Sequence, residues 1–304
     1  MSGGGSASRG DQIPGPGESW TPISLTRWSG AYLQEKGIEN GRLDAELLLA
    51  HVLDVGRLEL YLQFDRPIQV HELAAFKALL LRRVKREPLQ YVVGTAFFRE
   101  LELRSDARAL VPRPETEILV EEVLRWVGGR VGPLVGLDVG TGTGAIALSL
   151  LKEGPFERFV ATDPSVEALA LARENAAALG LAEKIDVREG KLFEPVGEGE
   201  RFDLVVSNPP YVSEADRDGL QPEVREWEPA GALFAGPRGM DVLDPLARGA
   251  PRLLKPRGLL AVEVGDGQAR EVSGIMEETG AFSRVWIRPD LTGRERIVLG
   301  VASE

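Results

Sequence analysis

Asn208-Pro209-Pro210-Tyr211 follows directly on the apolar run Phe202-Asp203-Leu204-Val205-Val206-Ser207, and its residue types suit one kind of chemistry. An asparagine side-chain oxygen and a proline carbonyl can each accept an N–H, and proline cannot donate, so the rim of such a site is rich in acceptors. Two acceptors aimed at a planar amide or amine would fix its nitrogen and favour positive charge developing there. An amide nitrogen needs that help: its lone pair is shared with the carbonyl, a conjugation gauged by a rotation barrier of roughly 18–20 kcal/mol. Tyr211 would stack on the flat target, and positioning of this quality is worth roughly 7–11 kcal/mol of a bimolecular barrier. A turn-forming Asn-Pro pair explains the first two residues but leaves Pro210 and Tyr211 without a reason.

A second chemical feature lies upstream. Leu134-Val135-Gly136-Leu137-Asp138-Val139 runs into Gly140-Thr141-Gly142-Thr143-Gly144 and then into a helical pattern from Ala145. Glycines there tolerate positive φ and let backbone approach a ligand closely. Gly140, Gly142 and Ala145 also satisfy the dinucleotide pattern, so the loop by itself is ambiguous. Asp163 ends the next expected strand, 23 residues after Gly140, where a carboxylate can accept hydrogen bonds from both hydroxyls of a ribose. NAD and S-adenosylmethionine both carry such a ribose, and a helix cap is the plainer role for Asp163. The Asn-Pro-Pro-Tyr run decides for S-adenosylmethionine, because a nicotinamide enzyme has no use for it. The methyl group is already activated on that donor, so no strong base is needed.

These residues require elements to hold them. Short β-rich runs at Leu134–Val139, 158–162, Phe202–Ser207 and 259–264 alternate with helical patterns such as residues 166–179, which predicts a mainly parallel sheet covered on both faces. Ligands then sit at the carboxyl ends of the strands. Upstream, Val70, Leu73, Phe76, Leu79, Leu80 and Val84 keep helical spacing, and residues 43–53 form another amphipathic stretch, so a small helical domain is expected. Lys77, Arg82, Arg83, Lys85 and Arg86 read as a solvated basic face, with partner docking as the alternative. Tyr91-Val92-Val93, Phe97-Phe98, Leu101 and Leu103, with Gly94 as a turn, suggest extended chain or a hairpin. Pro112 to Glu117 carry proline and acids where a helix start prefers them.

Composition narrows the function classes. The 304 residues are 43% apolar, enough for a sizeable core. With no cysteine and only His51 and His71, thiol chemistry, zinc thiolates and imidazole catalysis drop out, no metal site is expected, and a reducing cytoplasm fits. The net charge of -11 should repel a nucleic-acid backbone. A protein partner with a basic patch is easier to accommodate. No apolar run reaches membrane length, and residues 1–19, rich in Gly, Ser and Pro, read as a disordered tail or a remnant of cloning.

Together the glycine loop and Asn208-Pro209-Pro210-Tyr211 resemble the amino-methyltransferases, which include adenine-N6 DNA methyltransferases and protein glutamine methyltransferases. Glu87-Pro88-Leu89-Gln90-Tyr91 and Leu110-Val111-Pro112-Arg113-Pro114-Glu115-Thr116-Glu117 choose between them: both are similar to the linker and helix entry of the release-factor glutamine methyltransferases, the PrmC/HemK family. The resemblance continues through Glu228-Pro229, Gly258-Leu259-Leu260, Glu263 and Asp290 to Arg296. It implies a seven-stranded Rossmann-like methyltransferase domain at residues 112–304, a β-hairpin linker at 88–111 and a helical substrate-recognition domain at 20–87. The reaction implied is methylation of N5 of the glutamine in the Gly-Gly-Gln motif of class 1 peptide-chain release factors, by a cytoplasmic enzyme taken as a monomer that binds neither nucleic acid nor membrane. Gly140, Thr141, Gly142, Thr143 and Gly144 would wrap the methionine part of S-adenosylmethionine and Asp163 its ribose, with Leu192 beside the adenine and Asn208 near the methyl group. Asn208, Pro209, Pro210 and Tyr211 would hold the glutamine, with Asn208, Pro209 and Tyr211 as the catalytic groups. Two departures stand out: Lys191 precedes Leu192 where family members often have an acid, and residues 234–239 are a loose version of a usual glycine-rich stretch, with no role assigned. The alternatives are an adenine-N6 methyltransferase and a nicotinamide-nucleotide-binding protein.

Overall fold

The computed structural model describes residues 19–130 and 132–304. The expected tail at residues 1–19 lies outside the described residues, apart from Ser19. Two compact units divide in sequence between Gly94 and Thr95.

The first unit contains the helices α1 (Pro22–Glu35), α2 (Gly41–Leu53), α3 (Arg57–Leu62), α4 (Val70–Val84) and α5 (Leu89–Val93). Thr21 and Ser24 close a capping box on α1, with Pro22 in its first turn. Leu33, Leu48, Leu49, Phe76, Leu80 and Val92 fill the core. Val70, though in register with the apolar run of α4, is 87% exposed at the helix start.

Two of the basic residues of α4 make cross-links within the unit, Arg83 from the interior and Arg82 from the exposed face. Arg83 is buried and its Nε donates to Asp44 Oδ2 of α2 at 2.7 Å. Arg82 donates to the Glu87 carboxylate and to the carbonyls of Tyr91 and Val92. That second contact explains why Leu89–Val93 is helical where its aromatic and β-branched residues suggest extended chain. Pro88 presets the entry, Arg82 satisfies two carbonyls at the end, and Gly94, at φ 80°, closes the turn with its N–H on Gln90 O at 2.8 Å. Local caps outweigh strand propensity over so short a span.

The second unit begins with the antiparallel hairpin β1 (Thr95–Phe98) and β2 (Leu101–Arg104), so extended chain is present from Thr95 onward. Phe98, Leu101 and Leu103 belong to the core of this larger unit. After α6 (Pro114–Val127) come β3 (Leu134–Val139), α7 (Ala145–Glu153), β4 (Phe156–Asp163), α8 (Val166–Ala178), β5 (Ile185–Glu189), β6 (Phe202–Ser207), α9 (Pro222–Trp227), α10 (Leu243–Gly249), β7 (Leu254–Glu263), α11 (Ala269–Glu278), β8 (Phe282–Pro289) and β9 (Glu295–Ala302). The seven-stranded sheet runs in the order β5-β4-β3-β6-β7-β9-β8. Its first five strands are parallel, and β9 and β8 are added antiparallel.

Each central strand is buried on both faces, which is why it reads as a continuous apolar run. Leu204 and Val206 pack toward Leu119, Val123 and Leu148, whereas Val205 between them packs with Leu243, Leu246, Val272 and Met276. Gly136 in β3 leaves room for Phe159: a Cβ there would lie 2.2 Å from its ring. This layering brings the carboxyl ends of β3, β4, β6 and β7 to one edge of the sheet. Gly140, Asp163, Asn208 and Glu263 all stand at that edge.

Candidate active site

The glycine loop is held by its own backbone. Gly140 N–H and Thr141 N–H both donate to Thr162 O, at 2.8 and 2.9 Å, Gly142 N–H donates to Asp163 Oδ2 at 3.0 Å, and Gly144 N–H to Thr141 O at 2.8 Å. Gly140, Gly142 and Gly144 all have positive φ, 74°, 54° and 84°. A pyrophosphate cradle needs backbone N–H groups aimed at the ligand. Here four of them are already taken by protein acceptors, which weakens the dinucleotide reading. What the loop offers instead is close approach, since a Cβ on Gly140 would meet nothing within 4 Å.

Around it stand acceptors suited to a cationic ligand with a ribose. Asp163 is nearly buried, with Oδ2 on Gly142 N–H and Oδ1 on Ser165 N–H at 2.9 Å, so each oxygen keeps lone-pair capacity for a hydroxyl. Burial raises its pKa, and those two backbone N–H groups oppose the rise. Asp138, two residues before the loop, is fully buried. Its Oδ2 accepts the Thr141 hydroxyl at 2.7 Å, while Oδ1 accepts no hydrogen bond of normal geometry. Burial pushes its carboxyl up to about 7 against the pull of Thr141 and of the Ala147 N–H. A carboxyl held in so buried a place is costly to ionise. The ribose diol of S-adenosylmethionine fits the remaining lone pairs of Asp163.

Leu192 lies in the loop after β5, against the end of β4. Its φ is 50°, its carbonyl accepts the Thr162 hydroxyl at 3.3 Å, and its side chain is half-buried. Gly190 N–H donates to Asp163 O at 3.1 Å, tying this segment to the acid. Lys191 is exposed.

β6 delivers the Asn-Pro-Pro-Tyr run beside the glycine loop, because β3 and β6 are neighbours and the Ser207 hydroxyl donates to Val139 O at 2.6 Å. Asn208 Nδ2 donates to Thr116 Oγ1 at 2.9 Å, and Thr116 Oγ1 donates to Glu263 Oε2 at 2.6 Å. Tyr211 OH donates to Glu263 Oε1 at 3.4 Å. Among the described residues, neither Asn208 Oδ1 nor Pro209 O accepts a hydrogen bond. Asn208 and Pro209 thus follow the end of β6 with these oxygens unengaged, and a half-buried tyrosine comes two residues later.

Several supporting residues escape a reading of the sequence alone. Thr116 looked like helix-start chemistry, yet its hydroxyl joins Asn208 to Glu263. Glu263 is 1% exposed, and burial pushes it up to about 7. Glu228 accepts Val111 N–H at 3.2 Å and the Arg113 guanidinium, fixing the entry to α6. Residues 234–239 also have a part: Gly239, at φ 70°, passes so close that a Cβ would lie 2.1 Å from Tyr211 O. Gln268 Nε2 donates to the same carbonyl at 3.1 Å. One signal was available in the sequence: acids end or nearly end three apolar strands, Asp138, Asp163 and Glu263.

The fold and site define a Rossmann-like methyltransferase. The methyltransferase small domain matches residues 115–221, and the solved Thermus thermophilus 16S rRNA N2 G1207 methyltransferase, in complex with AdoMet and guanosine, shares the fold at a TM-score of 0.51 and 20% identity, over 69% of this chain and 50% of that one. The PrmC N-terminal domain matches residues 24–94. The release factor glutamine methyltransferase of Geobacter sulfurreducens is 44% identical over 283 residues, 93% of this chain and 97% of that protein. That of Deinococcus radiodurans is 44% identical over 268 residues, 88% of this chain and 94% of its own length. The chain belongs to the release factor glutamine methyltransferase family, whose members are S-adenosylmethionine-dependent enzymes.

Proposed function

We propose that this chain methylates N5 of the glutamine in the Gly-Gly-Gln motif of class 1 peptide-chain release factors. The single observation that carries the chemistry is that Asn208 Oδ1 and Pro209 O, on consecutive residues just after β6, are both unengaged acceptors. A primary amide has two N–H bonds, and these oxygens take one each. They fix the nitrogen and stabilise the charge that develops on it.

Gly140, Thr141, Gly142, Thr143 and Gly144 hold the methionine part of S-adenosylmethionine, Asp163 takes the ribose hydroxyls, and Leu192 lies against the adenine. When bound, S-adenosylmethionine supplies a methyl group activated on a sulfonium. Tyr211 stacks on the glutamine amide, with Pro210 shaping the rim. The helical unit serves recognition of the release factor. The setting is cytoplasmic, and the enzyme acts as a monomer. Among the described residues, no helix is long and apolar enough to cross a membrane.

The test is transfer of labelled methyl from S-adenosylmethionine to a purified release factor. Asn208→Ala is expected to lower the rate at least roughly a hundredfold, by analogy with loss of one stabilising group at a charged transition state. Calorimetric binding of S-adenosylmethionine should survive the change. An undiminished rate would overturn the role of Asn208.

A further inference from the structure

The hydrogen-bond chain behind Asn208 has a direction. An ionised carboxylate only accepts, a threonine hydroxyl has one O–H to give, and a side-chain amide has a donor end and an acceptor end. With Glu263 ionised, Thr116 spends its O–H on Glu263 Oε2, at 2.6 Å, and has only lone pairs left for Asn208. Asn208 must therefore turn its NH2 toward Thr116, as it does at 2.9 Å, and its oxygen away. We propose that Thr116 and Glu263 are positioning residues that set which end of the Asn208 amide faces the substrate. The inference rests on the reading of Asn208 Oδ1 as an acceptor for the glutamine N–H.

Protonating Glu263 removes the constraint. A carboxylic acid can donate to Thr116 Oγ1, which frees the Thr116 O–H to donate to Asn208 Oδ1 once the amide has turned over. Asn208 would then present NH2 to the NH2 of glutamine, two donors facing each other. The polarity of a relay three residues long thus decides whether the site holds its substrate.

The surroundings put that change within the physiological range. Glu263 ends β7 almost without exposure, and burial pushes it up to about 7. Facing it are Thr116 and Glu115 of α6, Tyr211 after β6 and Arg296 of β9. Glu115 adds to the rise, while Arg296 and the hydroxyls of Thr116 and Tyr211 oppose it. Arg296 also has Asp290 3.7 Å away, which divides its influence.

The experiment compares the full-length protein with Thr116→Val and Thr116→Ser, using two readouts. The first is kcat and KM for methylation of a release factor from pH 5.5 to 8.5. The second, independent of turnover, is the side-chain NH2 resonance pair of Asn208 in nitrogen–proton spectra, assigned by its loss in Asn208→Asp. Wild type and Thr116→Ser are expected to gain kcat as pH rises through about 7, with the Asn208 NH2 shifting over the same range. In Thr116→Val, kcat should fall roughly tenfold or more, because a misplaced acceptor loses alignment. KM for S-adenosylmethionine should hold, and both the acid limb and the NMR titration should vanish. Wild-type kcat in Thr116→Val, or an Asn208 resonance that still titrates there, would overturn the proposal. If the resonances behave as expected but no protein methylates a release factor, the relay stands and the substrate reading fails.

Discussion

Asn208 is a weak group by itself, neither a base nor a nucleophile. Its use depends on being held, and the holding comes from residues far away in sequence: Thr116 on α6 and, behind it, Glu263 on β7, while Gly239 passes close beside Tyr211. Gly239 has two reasons to be glycine, a φ of 70° and a carbonyl oxygen 2.1 Å from where a Cβ would stand. Gly239→Ala must push Tyr211 O aside. The expected result is a fall of roughly tenfold or more in kcat, with calorimetric affinity for S-adenosylmethionine retained. A variant with normal turnover would show that the position of Tyr211 is not demanding. The place of Asn208, Pro209 and Tyr211 just past a strand end was legible in the sequence, because they follow an uninterrupted apolar run. Thr116 was not: a threonine in the first turn of a helix looks the same whether or not its hydroxyl is engaged 147 residues away.

At the scale of elements, the parallel strands announced themselves because burial on both faces makes them apolar without interruption. β8 did not, since an edge strand half open to solvent has a mixed pattern, and Phe282–Pro289 carries Ser283, Arg284 and Arg288. α5 was hidden for the opposite reason: its residues favour strand, and the contacts that make it helical come from Arg82. Between elements, Asn175 of α8 does similar work for the glycine loop. Its Oδ1 accepts Arg104 N–H at 2.8 Å and its Nδ2 donates to Thr143 O at 2.9 Å, so one buried amide ties β2 and the loop to α8. Asn175→Ala leaves the buried Thr143 carbonyl unpaired, which costs roughly 1–3 kcal/mol. Urea unfolding should show a lower midpoint, and an unchanged midpoint would mean that water replaces the amide at no cost.

Over the whole molecule, the site is maintained against stability. Glu263 and Asp138 have ordinary values of 4.5 and 3.8, and burial pushes each up to about 7. Between those values the folded state binds more protons than the unfolded one. The contribution of these groups is therefore fully present below about pH 4 and is lost as pH rises through about 7. For Glu263 the difference is of order 3 kcal/mol, at about 1.4 kcal/mol per pH unit. Glu263→Gln stays neutral, so in the absence of cofactor its thermal midpoint relative to wild type should rise between pH 5 and pH 8. A gap that does not change with pH would mean that the Glu263 carboxyl is not held in a low-dielectric site. Two costly carboxyls at the same sheet edge are what a binding site looks like when function has been kept at the expense of stability.

That edge is tested most directly by locating the methyl group. The enzyme is incubated with S-adenosylmethionine, a class 1 release factor and, as competitor, DNA containing adenine, and the products are mapped by peptide and nucleoside mass spectrometry. One methyl on the glutamine of the Gly-Gly-Gln motif is expected, absent when that glutamine is replaced and nearly absent with Asn208→Ala. Methyl on adenine, on another residue of the release factor, or on neither product would contradict the account.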